Sequence, residues 1–332
     1  MGYRIIVVTL TTSGRMVTEK FPTNHFTHIF IDDCGHAVEP ECIVPISGLM
    51  DPRDKSGRAQ LVISGDHKQL GPIVRSAIAR NLGLPVSLME RMMTDIEMYK
   101  NQPFNERYIT QLIRNYRSHD SILEIPRRMF YNNQQEACGD SKVLNCMLDW
   151  DMLPNKKFPV MFHSVFGTEE REGESPSWFN RDEIAQIDMY LTGLLKKKKG
   201  TQLKLSDIGI IAPYKKQVSK IRQMLLAKRH IDNQNEIPVG SVEEFQGQEF
   251  KVIIISAVRS DMTSAYTDID MVFNLGLLCN PKRFNVAMTR ARALLIVIGN
   301  PITLEQDKCW KTFIDYCYEN NALRGQTLQN RT

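Results

Sequence analysis

The 332-residue chain contains no apolar run near the roughly 20 residues that cross a bilayer, and no signal-peptide layout at its start. A membrane span is not expected. It has no C-x-x-C pair, and its seven cysteines (Cys34, Cys42, Cys138, Cys146, Cys279, Cys309, Cys317) are odd in number. That argues against a zinc site or a disulfide framework and for reduced thiols in a cytosolic protein. A strong charge bias is also missing. Lys and Arg total 42 against 38 for Asp and Glu, so net charge neither demands nor forbids nucleic acid, and only position can argue it. There is no internal repeat or low-complexity tract. Finally, no Gly-x-x-x-x-Gly-Lys-Ser/Thr occurs, the loop whose backbone amides and lysine cradle phosphates.

What is present is ordinary soluble protein, 42% hydrophobic and 24% charged, at a length that suggests two domains. Apolar strand-like runs alternate with amphipathic helical stretches, the pattern of an α/β fold with mostly parallel sheets. In the first part, strands are expected at Arg4 to Leu10, His28 to Asp32 and Gln60 to Ser64. In the second they are expected at Val160 to His163, Ile208 to Ala212, Val239 to Ser241, Val252 to Ala257 and Leu294 to Ile298. Helices are expected at Arg181 to Lys199, Lys215 to Ile231, Lys282 to Arg292 and Trp310 to Glu319. Asn180 with Glu183 forms a capping-box-like start to the first of these. Trp178 and Phe179 before it read as a hydrophobic staple rather than a base-stacking pair. Phe104 to Asn155 reads as a helical connector, Lys196 to Lys199 with Gly200 as a solvated helix end, and Thr327 to Thr332 as a frayed tail. His36 and His163 carry no ligand spacing.

Several short segments put chemistry where such a fold can use it. Phe30-Ile31-Asp32-Asp33-Cys34-Gly35 is an apolar strand ending in two carboxylates. Ser64-Gly65-Asp66-His67-Lys68-Gln69-Leu70-Gly71-Pro72 is a strand followed by a turn. Leu112 to His119 contains Arg114-Asn115-Tyr116-Arg117-Ser118-His119, and Ala212-Pro213-Tyr214-Lys215-Lys216-Gln217 is a strand-to-helix element. Val239 to Glu249 places a glycine turn among polar groups, and Asn285 to Arg292 leads arginines into an apolar strand. In this order the segments resemble motifs II, III and IV, the strand-to-helix element between motifs IV and V, and motifs V and VI of superfamily 1 helicases. Glu-Pro-Glu after motif II, Arg-Asn-Tyr-Arg-Ser-His, Arg171-Glu172-Gly173 with Ser175 to Asn180, and Val-Glu-Glu-Phe-Gln-Gly-Gln-Glu are most similar to the Armitage and Moloney-leukaemia-virus-ten branch. That branch holds ATP-dependent RNA helicases related to the nonsense-mediated-decay helicase, and the resemblance runs from about Arg4 to Asn321.

The resemblance implies tandem RecA-like P-loop NTPase domains. Residues 1–112 would be the C-terminal portion of the first, with its P-loop portion absent. Residues 113–321 would be the second, complete domain, and 322–332 a polar tail. The missing loop suggests a truncated product, an incomplete gene or a fragment, and a chain that alone hydrolyses ATP poorly. Among site residues, the resemblance gives Asp32 to magnesium through water and Asp33 to the attacking water, where the family has Glu. Asp is one methylene shorter, and misplacing a catalytic group by about 1 Å can cost roughly 100-fold. Gln69 would sense the γ-phosphate, with Gly65 and Asp66 beside it. Arg117 and Arg290 would reach that phosphate, where an arginine finger contributes about 10³–10⁵ in rate. Arg283 and Arg292 are weaker candidates, structural or RNA-facing. Gly247 and Glu249 would meet the phosphates and ribose of ATP. Thr9, Thr11, Thr12, Pro213, Tyr214, Lys215, Gln217, Ser241 and Gln246 are candidate RNA-backbone contacts, since hydroxyls, amides and lysines grip phosphates and 2′-OH groups without reading bases. For Tyr214 a half-buried aromatic at a strand end is an equal alternative. The resemblance further implies ATP and Mg²⁺ as cofactors and single-stranded RNA as track, with 5′-to-3′ movement. It also implies Argonaute or Piwi-type partners in small-RNA silencing, in the cytoplasm or its ribonucleoprotein granules. The competing reading is a non-catalytic RNA-binding or protein-interaction module that kept the fold, and a DNA helicase is a weaker third.

Overall fold

A computed structural model describes residues 3–51, 53, 59–196, 203–233, 236–260 and 280–326. The chain divides into two compact units, Met1–Gln111 and Leu112–Thr332.

In the first unit, α1 (Leu10–Thr18) and α2 (Glu39–Leu49) flank β1 (His28–Ile31), which pairs in parallel with β2 (Gln60–Ile63). Three short helices come next, α3 (Ala77–Asn81), α4 (Leu88–Asp95) and α5 (Glu97–Lys100). Arg91 of α4 forks onto Glu39 of α2 with both bonds at 2.7 Å. The buried core here is small, centred on Ile31, Cys34, Cys42 and Leu88, and Phe30 of β1 is 69% exposed.

The second unit opens with β3 (Arg114–Asn115), α6 (Asp120–Phe130), β4 (Glu136–Ala137) and α7 (Ser141–Leu144). Then come β5 (Val160–Ser164) and an antiparallel hairpin, β6 (Glu169–Arg171) with β7 (Trp178–Asn180). The chain continues through α8 (Arg181–Leu195), β8 (Ile208–Ile211), α9 (Lys215–Ala227), β9 (Val239–Gly240) and β10 (Phe250–Ser256). The unit closes with α10 (Pro281–Met288), β11 (Ala291–Gly299), α11 (Pro301–Leu304), α12 (Lys308–Glu319) and β12 (Leu323–Gly325). Six strands form one sheet in the order β12-β5-β11-β10-β8-β9, and every pairing is parallel. A parallel sheet is covered on both faces, which is why residues 252–255 and 293–298 read as unbroken apolar runs instead of alternating ones. Ile208, Ile210, Val252, Ile254, Leu294 and Ile296 share a face with Ile187, Leu191, Ile221 and Leu225 of α8 and α9. On the other face, α6 and α12 pack against β11 and β5.

Four expectations need correction. Residues 4–9 form no strand: Ile5 and Val7 are 82% and 91% exposed, and neither β1 nor β2 pairs with them. Phe104 to Asn155 is not a separate connector, because Ile122, Leu123 and Ile125 of α6 are buried within the second unit. The tail does not begin at residue 322: Ala322 is buried and β12 pairs with β5 (Leu323↔Phe162). The helix expected to run to Arg292 stops at Met288, since Ala291 onward joins the central strand. Residues 197–200 and 327–332, and with them the lysine-rich helix end and the polar terminus, lie outside the described residues, as does Cys279.

Candidate active site

In the first unit the two parallel strands end together, with Ile31 opposite Ile63, so the loops leaving them lie side by side. Cys34 N–H donates to Ser64 O and Ser64 N–H to Ile31 O, both at 2.9 Å. Glycine permits this approach. A Cβ on Gly35 would lie 2.9 Å from Asp66 O, and Gly65 has φ +147°, a region L side chains rarely occupy. Asp32 is solvent-exposed and accepts the Ser64 hydroxyl at 2.7 Å. Asp33, also exposed, has φ +51°. Asp is several-fold enriched in this left-handed region, so the backbone itself favours the shorter acid here. Asp66 accepts from Lys68 N–H and Gln69 Nε2, each at 2.9 Å, so the Gln69 amide is turned onto its own loop. Beneath these groups the buried Sγ atoms of Cys34 and Cys42 are 3.7 Å apart. The hydrogen bond between them holds the Cys34 thiol below its usual range and pushes Cys42 up. Their spacing along the chain gave no hint of this contact.

Asp32 with the Ser64 hydroxyl on it, and Asp33 next in the chain, offer oxygen donors only. Among the described residues there is no group of three or more His, Cys, Asp or Glu that could hold a metal ion. A hard ion that keeps most of its water and is shared with phosphates fits such a set, whereas an all-protein cage does not.

In the second unit, the residues assigned by sequence fall on two opposite edges of the sheet. Arg117, Gly247, Glu249, Arg290 and Arg292 gather at the amino ends of β10 and β11. Ser118 Oγ donates to Ala291 O at 2.7 Å and His119 N–H to Arg292 O at 2.8 Å, which docks the motif IV segment on β11. Glu249 takes Arg117 Nε at 2.8 Å and Arg292 Nη1 at 3.3 Å. Gly247 is exposed with φ +76°. At the carboxyl ends of β8 and β9 lie Pro213, Lys215 and Ser241. Residues 241–249 must therefore run back along the sheet from one edge to the other, because β9 and β10 point the same way. Val242 and Phe245 anchor that segment in the core, and Arg283 of α10 clasps it through Glu243 at 2.7 Å.

Three assigned residues are not free to do what the sequence suggested. Gln217 is fully buried. Its amide accepts from Asn180 N–H at 2.9 Å and donates to Asn180 O at 3.3 Å and Ser256 Oγ at 2.9 Å. It ties three elements together and cannot contact RNA from there. Tyr214 is 4% exposed, with its hydroxyl accepting from Arg259 Nη1 at 3.2 Å, so it is a core aromatic. Arg290 is 2% exposed. Its guanidinium donates to Val286 O at 3.0 Å, Gln248 O at 3.3 Å and Thr289 Oγ1 at 3.1 Å. In this arrangement it fastens motif VI to motif V and presents no free fork. Lys215 is exposed, and Pro213, Ser241 and Gln246 are half-buried. Thr9, Thr11 and Thr12 are exposed, with Thr9 Oγ1 capping α1 by accepting from Thr12 N–H at 3.1 Å.

The exit of β10 carries a buried polar network that sequence reasoning largely missed. Asn180 caps α8 as expected, accepting from Asp182 and Glu183 N–H. Glu183 does not complete the box: it is fully buried and accepts both the Ser256 hydroxyl and Val258 N–H. Burial pushes its carboxyl up to about 8. Val258 is held at φ +73°, costly for a β-branched residue. Next to it Arg259 meets Glu169 at 3.1 Å, both nearly fully buried, with Arg259 and Arg171 on the Trp178 ring. Phe179 is core, so the expected aromatic pair serves packing and cations rather than bases.

With this geometry in view, comparison with known proteins is decisive. An AAA-domain family matches residues 84–302, more than half of the chain, and a second AAA-domain family matches residues 2–77. The chain belongs to the AAA-domain family, and the relatives it resembles are Mov-ten-like helicases. It is 50% identical to mov-10-B.1 of Danio rerio over 99% of this chain and 33% of that protein. It is 45% identical to RNA helicase Mov10l1 of Homo sapiens (99% of this chain, 27% of that protein) and 35% identical to armi of Drosophila melanogaster (98% and 28%). The chain thus spans about a quarter to a third of the length of these relatives.

Proposed function

We propose that this chain is part of the motor of an ATP-dependent RNA helicase that moves along single-stranded RNA. The observation that carries the reading is the sorting of the second unit's motif residues onto two sheet edges joined by one segment. Arg117 and Glu249 stand at the amino edge, exposed Lys215 at the carboxyl edge, and residues 241–249 run between. Such a segment lets a change at one edge be felt at the other, which is what converting nucleotide state into RNA grip requires. The proposal assigns Asp32, Asp33, Gly65, Asp66 and Gln69 in the first unit, and Arg117, Gly247 and Glu249 in the second, to ATP with its Mg²⁺. Bound ATP supplies a phosphoanhydride whose hydrolysis drives the cycle. The protein's part is to orient the attacking water through Asp33 and to offset charge through Arg117, with Arg290 holding motifs V and VI in register. Lys215, Pro213, Ser241 and Gln246, with Thr9, Thr11 and Thr12, are assigned to the RNA backbone.

The names of the relatives support an RNA track. A role in small-RNA silencing with Argonaute or Piwi-type proteins, in the cytoplasm and its granules, belongs to the same proposal. Phosphate release with single-stranded RNA, measured on natively expressed protein, tests it. Turnover should depend on RNA and be lost in Asp32→Ala and Arg117→Ala. RNA-independent turnover, or none, would reject the motor. One observation favours the second reading, a non-catalytic RNA-binding module: Asp33 replaces the family's Glu. RNA binding without turnover in native protein would select it.

A further inference from the structure

Glu249 stands before β10 with one carboxylate oxygen on Arg117 and the other on Arg292. One negative charge thus serves two guanidiniums, which leaves the trio cationic. Arg292 Nε is buried with no hydrogen-bond partner. A buried donor left unmade is costly, and such groups call for an explanation. The side chains of Arg117 and Arg292 are each 29% exposed and that of Glu249 41%, so an incoming anion can reach all three. An anion that takes the carboxylate's place must offer oxygens to both guanidiniums, as Glu249 does, and a polyphosphate carries several such oxygens with more charge.

We infer that Glu249 is a positioning residue that holds Arg117 and Arg292 apart and aimed until the phosphate chain of a nucleotide displaces its carboxylate. This rests on the nucleotide reading above for the identity of the anion, but not on hydrolysis. Two exposed ion pairs break when the phosphate chain binds, so Glu249 competes with it. The competition gives the site a threshold: a weakly charged anion does not displace the carboxylate, whereas a triphosphate does.

The test uses the whole 332-residue chain and inorganic tripolyphosphate, followed through the arginine Nε–H signals in NMR, with Arg117→Lys and Arg292→Lys assigning the two resonances. In the wild type both signals should shift together at millimolar tripolyphosphate. Glu249→Gln should bind it roughly 3- to 10-fold more tightly, the size expected from losing two exposed ion pairs. Glu249→Asp, charged but shorter, should fall between. The thermal midpoint should stay unchanged, because the carboxylate is exposed. Weaker or equal binding by Glu249→Gln would overturn the inference, as would an Arg117 signal that tripolyphosphate does not move. A native protein without ATP turnover whose Glu249→Gln chain binds tripolyphosphate more tightly would reject the motor and keep this inference. The opposite pair of results would do the reverse.

Discussion

Replacing Arg290 with Ala should destabilise the second unit before it says anything about catalysis. The guanidinium is 2% exposed and donates to the carbonyls of Val286 and Gln248 and to Thr289 Oγ1. Hydrogen bonds from a charged group contribute about 1.5–3 kcal/mol each, although water entering the vacated space recovers part of this. A net loss of about 3 kcal/mol is reasonable for Ala. Lys keeps the charge but not the fork, and should lose about half as much. The three tryptophans, Trp150, Trp178 and Trp310, all lie in the second unit, so urea unfolding followed by their fluorescence reports on that unit alone. With a slope of about 2 kcal/mol/M, the midpoint should fall by about 1.5 M for Ala. A shift below about 0.3 M would mean that the guanidinium is free in solution, and the burial argument would be wrong. Turnover of native protein should then be lost in both variants, while RNA binding without nucleotide survives in Arg290→Lys. Loss of RNA binding with turnover spared would reject the motif VI assignment.

Glu183 supplies a pH test. Its folded pKa, raised by burial to about 8, lies above the ordinary 4.5. The folded state therefore binds more protons between those values, and stability should fall as pH rises through that window, by up to about 1.4 kcal/mol per unit. Glu183→Gln should flatten the dependence in urea titrations at several pH values, and an unchanged slope would refute the assignment. Asp33→Glu should raise RNA-stimulated turnover of native protein if reach to the water limits it. The φ of +51° works against the longer acid, so a drop in thermal midpoint without a gain in rate would assign Asp33 to the backbone instead. Purified residues 1–332, which hold no Gly-x-x-x-x-Gly-Lys-Ser/Thr, should show negligible turnover; about 1 s⁻¹ or faster in a phosphate-release assay would refute this. Hydrogen exchange should be fast in His28–Ile31 and Gln60–Ile63 and slow in Phe250–Ser256 and Ala291–Gly299, because the first core is small and exposes Phe30; equal protection would contradict it.

The parallel sheet was legible because its strands are buried on both faces. Val252 to Ala257 and Leu294 to Ile298 carry that signal in composition alone, while the observed strands start earlier, at Phe250 and Ala291, and end at Ser256 and Gly299. The same signal misled at Arg4 to Leu10. An apolar run states what a segment could bury, and residues 4–9 have no described strand to pair with. β12 was invisible because three residues, Leu-Arg-Gly, have no periodicity to read, and only the vacant edge of β5 makes them a strand.

The site was legible as a set of residues but not as an arrangement. Arg117, Glu249 and Arg292 were each noticed separately, and nothing in their spacing says that one carboxylate holds both arginines. The larger ambiguity concerns polar residues within motifs. Lys215 and Gln217 both lie in the first turn of α9 and are of types that grip phosphate. A helix turns 100° per residue, so two positions apart they point to nearly opposite sides. Lys215 faces solvent, while Gln217 is driven into the sheet, where its amide satisfies both backbone groups of Asn180. Replacing Gln217 with Leu should therefore weaken RNA binding only through stability, whereas Lys215→Ala should weaken it directly and lower its salt dependence by about one phosphate contact. If Gln217→Leu instead kept the unfolding midpoint and lost RNA affinity, the amide would be reaching RNA, and its burial would describe only one state of the helix.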